Sequence, residues 1–119
     1  KGYSKVGSYE GNGNADAPFC YTGFTPAYVM LKNADASQSW QIYTWDMQPF
    51  NEFCTTDAGR LKADLTEIAS TKNAMDMLSN GFKIRTSAGD INTSGQTVIY
   101  AAFAEFPTVS SNDVPGVAR

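Results

Sequence analysis

The chain has 119 residues, of which 42% are hydrophobic, 18% charged and 13% aromatic, with no histidine and a net charge of −3 at pH 7. That length suits one domain with one core of moderate size. The acidic balance and scattered cations exclude a nucleic-acid binder, which gathers Lys and Arg on one face. The lack of His excludes Ser-His-Asp and Cys-His nucleophile systems within the chain. No apolar run approaches the ~18 residues of a membrane-spanning helix.

Low charge combined with many Tyr, Phe, Ser, Thr, Asn and Gly residues points to an all-β fold, because aromatic and β-branched side chains fit pleated surfaces. Tyr3 to Glu10 (YSKVGSYE) is β-prone and stops at the turn cluster Gly11-Asn12-Gly13-Asn14. Pro18 to Tyr21 (PFCY) is a short strand, followed by a bend between Gly23 and Pro26. Ala27 to Lys32 (AYVMLK) is almost continuously apolar, the pattern of a strand covered on both faces.

After a polar loop over Asn33–Ser39, Trp40 to Trp45 (WQIYTW) alternates. Trp40, Ile42 and Thr44 share one face, and Gln41, Tyr43 and Trp45 the other. Asp46 to Thr56, with Pro49, has no clear period and reads as a long excursion. Arg60 to Ala69 fits both periods, and its first half is assigned to a strand. Ala74 to Leu78 is a strand, and Asn80-Gly81 predicts a type I′ hairpin turn with positive φ at both residues. Phe82 to Thr86 returns, placing Phe82 and Ile84 on one face and Lys83 and Arg85 on the other. Ala88-Gly89-Asp90 and Ser94-Gly95 mark turns. Thr97 to Phe106 is the longest apolar strand and is placed centrally, and the tail from Pro107 lies along the surface. Seven or eight short strands at regular spacing predict a sandwich or barrel in one domain.

Few residues suggest chemistry. Two cysteines, Cys20 and Cys54, are too few for a disulfide framework and are read as buried, reduced thiols in preference to the alternative of a bridge between them. Without His or a CxxC pair, neither zinc nor another metal is expected. Asn12, Asn14 and Asp16 alternate like the start of a calcium loop, but the further acidic ligands are missing, so a Gly-Asn turn is the better reading. Asp64 and Glu67 are read as a solvated face. No cofactor pattern is present: a phosphate-cradling loop needs a strand, a Gly-rich turn and a helix, and the helix is missing. Exposed Trp or Tyr beside Asn or Asp would form a sugar-stacking platform. Trp40, Tyr43, Trp45 and Asp46 are the residues that could supply one, although aromatic residues inside strands more often pack in the core.

The strings KVGSYEGNGNADAPFCYTGFTPAYVMLKN, WQIYTWD, LSNGFKIRTS, INTSGQTVIYAAFAEFP and SSNDVPGVAR, in that order, resemble a repeated domain of tailed-bacteriophage tail-fibre and other virion structural proteins. The resemblance covers nearly the whole chain and is weakest over Met47–Asn73. It implies a two-sheet antiparallel β-sandwich of the concanavalin A-like, jelly-roll type. It also implies a non-enzymatic role in the virion: adhesion to a host-surface glycan, attachment to other virion proteins, or decoration of a capsid. A homo-oligomer, with a trimer as the form met among such appendages, is implied by the same resemblance. A carbohydrate-active enzyme on the same fold is the remaining alternative, and fold alone does not establish it. The chain begins at Lys1 and is expected to be a processed product or part of a longer protein.

Overall fold

The computed structural model describes residues 2–47, 59–67 and 74–105. Expectations for 48–58, which include Cys54, for 68–73 and for the tail from 106 lie outside them. Among the described residues eight strands are formed: β1 (Ser4–Glu10), β2 (Phe19–Tyr21), β3 (Pro26–Asn33), β4 (Gln41–Thr44), β5 (Leu61–Lys62), β6 (Met75–Leu78), β7 (Gly81–Ile84) and β8 (Thr97–Ala104). A 3-10 turn spans Trp45–Met47, and a one-turn helix, α1, spans Gly89–Asn92.

The strands make two antiparallel sheets, ordered β1-β8-β3-β4-β5 and β2-β7-β6. The chain is therefore all-β, with two sheets facing each other over a shared core. The core follows from period-2 alternation. Val29 and Leu31 of β3, Tyr43 of β4, and Val98, Tyr100 and Ala102 of β8 point inward from the larger sheet. Met75, Met77, Phe82 and Ile84 meet them from the smaller sheet. Phe82 and Tyr100 join the layers edge to face, with ring centroids 5.1 Å apart. Such a pair adds about 0.5–1.5 kcal/mol beyond its buried area.

β8 lies between β1 and β3, so its interior placement agrees with its apolar sequence. Cys20 is a free, buried thiol, and burial pushes its pKa up to about 12.

Four expectations need correction. β3 is not covered on both faces: Val29 and Leu31 are buried inward, while Tyr28 and Met30 face outward and are only half-buried. The β6–β7 hairpin exists, but its turn residues are Ser79 and Asn80, because Gly81 already pairs with Leu78. Gly81 is needed for a different reason. It also pairs with Tyr21 of β2, and a Cβ there would collide with the Cys20 carbonyl. The expected turn at Ala88–Asp90 runs on into helix α1. The strand in the first half of 60–69 shrinks to the two residues of β5, after which the chain turns.

Candidate interaction surface

The four residues expected to form a sugar platform are not brought together. Tyr43 is fully buried on the inner face of β4, its hydroxyl donating to Gln41 Oε1 at 2.7 Å. Burial raises its pKa, against the opposing charge and hydrogen bond of Arg60. Tyr43 is thus a core residue and cannot stack on a ligand. Trp45 leaves the strand in the 3-10 turn and packs, partly buried, against the core. Asp46 beside it is exposed. Trp40 lies on the opposite side of the larger sheet, lining an outer groove.

Several charged groups are paired with one another or with backbone N–H groups. Arg60, nearly buried, pairs with Asp90 of α1 at 2.7 Å. Lys62 pairs with Glu67, Lys83 with Asp16 and Arg85 with Asp76. Asp64 accepts from the Trp40 N–H, and Asp35 accepts from the Thr97 N–H at 2.6 Å. The hydrogen bond and charge of Lys83 lower the pKa of Asp16.

The alternating Asn12, Asn14 and Asp16 oxygens serve the fold. Asn12 Oδ1 accepts from the Asn14 N–H and from Asn92 Nδ2, and the Asn14 carbonyl accepts from Asn92 Nδ2. Among the described residues no three His, Cys, Asp or Glu side chains gather as a metal set, and no helix is long and apolar enough to cross a membrane.

Among the described residues, no second layer covers the outer face of the five-stranded sheet. Registers Tyr28↔Phe103, Met30↔Ala101 and Met30↔Ile42 align apolar side chains from β3, β4 and β8 there, and Val6↔Ala101 adds β1. Val6 is 76% exposed and Ile99 40%. At one end Tyr3, Phe103 and Tyr28 form a run of edge-to-face rings with centroids 6.3 and 5.9 Å apart. Beside them Val6, Met30, Trp40, Ile99, Tyr100 and Ala101 line a groove of about 160 Å³. Its lining is wholly apolar. It can take an apolar side chain, but it offers no hydrogen-bonding group to a sugar hydroxyl.

Sequence reasoning missed this face, although a signal was present. β3 and β8 carry apolar residues at both parities, which the second sheet satisfies on one side only.

Residues 1–107 match the model of a domain of unknown function, DUF7483, and the chain belongs to that family. No curated protein and no solved structure matches the chain.

Proposed function

We propose that this chain is a non-enzymatic structural domain of a tailed-bacteriophage virion protein, and that it attaches to a neighbouring virion protein through the outer face of its larger sheet. The observation that carries the attachment is the wholly apolar groove between Val6, Met30, Trp40 and Ile99. Contiguous exposed apolar surface of this kind marks protein contacts more often than sugar sites, which need convergent polar groups. The virion setting rests on the sequence resemblance. The engagement of Asp16, Asp64, Asp76 and Asp90 with cations or backbone N–H groups disfavours acid–base chemistry at those carboxylates.

The finer fold assignment is a concanavalin A-like jelly roll. Its support is the pairing of β1 with β8 in one sheet and β2 with β7 in the other, the wrapping of a jelly roll. β4 departs from that wrapping by staying beside β3 in the same sheet.

Cryo-electron microscopy of the particle carrying this chain tests the proposal. The expected density has the Met30–Ile99 face seated on another virion protein. A domain at the tail tip with that face toward solvent would overturn attachment in favour of glycan adhesion. A particle that lacks the chain would overturn the virion role.

A further inference from the structure

Among the described residues the sandwich has open strand edges, and they are not alike. β5, at one end of the larger sheet, has only two residues. β6 carries Asp76, held by Arg85 of the neighbouring chain segment. β2 has three residues, and Lys5 Nζ donates to its Tyr21 carbonyl at 2.8 Å. Short length and charge are the usual means of blunting an edge. β1 differs. It has seven residues, no proline and an unbroken register with β8 from Ser4↔Phe103 to Glu10↔Thr97. Its one inward charge, Lys5, is occupied by the Tyr21 carbonyl and lies 5.3 Å from the centre of the Tyr21 ring.

The direction of the β1 backbone groups follows from two bonds. The Ala104 N–H donates to the Tyr3 carbonyl at 2.7 Å, and the Gly11 N–H donates to the Gln96 carbonyl at 2.9 Å. In an antiparallel ladder bonded positions alternate. Lys5, Gly7 and Tyr9 therefore face β8, and the N–H and C=O groups of Ser4, Val6, Ser8 and Glu10 face the open edge. An extended backbone is the partner that satisfies such a row.

We propose that the partner is β1 of a second copy of this chain, paired antiparallel about a two-fold axis at Gly7. Ser4 then lies opposite Glu10 and Val6 opposite Ser8. This register uses the whole strand and forms about eight backbone hydrogen bonds, two for each bonded pair. The two Val6 side chains become diagonal neighbours and leave water. Antiparallel pairing also sets the Glu10 end of each strand at the Lys5 end of the other, whereas parallel pairing would bring like charges together.

The β2 edge lies beside β1, linked to it by Lys5, so Phe19 and Tyr21, 45% and 59% exposed, flank the same seam. Burial of Val6 and of these two rings would add side-chain contact to the backbone ladder. The five strands of each copy join into one sheet, which doubles the outer apolar face. This inference does not rest on the virion proposal.

Sedimentation velocity on the full chain from about 5 to about 500 µM tests it, a span that reads a dissociation constant in the micromolar range. The expected result is a monomer–dimer equilibrium in which the Ser4, Val6, Ser8 and Glu10 amides gain hydrogen-exchange protection as concentration rises. Val6→Pro removes an N–H that β8 does not use and should weaken the dimer at least tenfold without a change in far-UV circular dichroism. Val6→Lys, which keeps the backbone donor, should weaken it in the same direction and serves if the proline variant does not fold. A monomer at every concentration, a trimer, or a dimer unaffected by both variants would overturn the proposal.

Discussion

Asn92 and Asn12 hold one another across 80 residues of chain. Asn92 Oδ1 accepts from the Asn12 backbone N–H at 2.9 Å, and Asn92 Nδ2 donates to Asn12 Oδ1 at 3.2 Å. The same Nδ2 donates to the Asn14 and Thr86 carbonyls, both at 2.7 Å, and the Gly13 N–H donates to the Asn92 carbonyl. Asn92 is fully buried, so these bonds replace water that cannot reach it. Removing the side chain should cost about 3 kcal/mol, because it leaves buried donors and acceptors without partners. Asn92→Asp keeps the volume but turns a donor into an acceptor facing three oxygens, and should cost as much as Asn92→Ala. Urea denaturation checks both; a much milder Asn92→Asp would mean that volume matters more than the bonds.

Two glycines should respond differently to alanine. Gly81 is pressed against the Cys20 carbonyl, so Gly81→Ala must push β2 away from β7 and should cost about 3 kcal/mol. Gly95 has φ +75° but open space around it, so Gly95→Ala should cost only about 1 kcal/mol of backbone strain. Comparison of the two urea midpoints measures the contrast.

Alkali should unfold the protein for a stated reason. Burial raises the pKa values of Tyr9 and Tyr43 above the usual phenol range, and that of Cys20 from 9.0 to about 12. In the unfolded chain these groups ionise at ordinary values, so above them the folded state holds more protons. Their contribution to stability is complete below about pH 9, starts to fall as the Cys20 thiol ionises in the unfolded chain, and falls faster above about pH 10 as the phenols follow. Urea midpoints at rising pH, with phenolate absorbance followed in parallel, should show the buried tyrosines ionising together with unfolding. Ionisation of all tyrosines before any loss of structure would contradict the burial of Tyr43.

The Arg60–Asp90 pair ties the start of β5 to α1. Arg60 is 6% exposed, and truncating one member of such a pair strands the other, at a cost of about 3 kcal/mol. Arg60→Met should therefore destabilise clearly, and adding Asp90→Asn should recover part of the loss. Strict additivity in that double-mutant cycle would show that the two groups do not interact.

Most of the strands were legible in the sequence. β1, β2, β6 and β7 fall where β-prone residues and turn residues place them, and β3 and β8 where continuous apolar runs do. The inward Phe82 and Ile84 and the outward Lys83 and Arg85 follow from alternation along a strand. Helix α1 was not legible: four residues are too few for a helical period. Asn92 looked like one more polar loop residue, since its role depends on Asn12 and Asn14 arriving from the far end of the chain. The aromatic platform failed for a similar reason. Alternation along WQIYTW put Trp40 and Tyr43 on opposite faces, but which face met the second sheet depended on where β6 and β7 packed.

The sequence by itself determined the class of structure: strands, turns and a chain without histidine chemistry, all set by local periodicity and composition. Only the tertiary structure decided which apolar face was covered. A three-stranded sheet packs on the inner side of a five-stranded one, and among the described residues nothing equivalent covers Met30, Ile99 and Phe103 on the other side. Burial is a property of two surfaces meeting. The sequence of either one records its capacity to be buried but not whether a partner from the same chain is there to cover it.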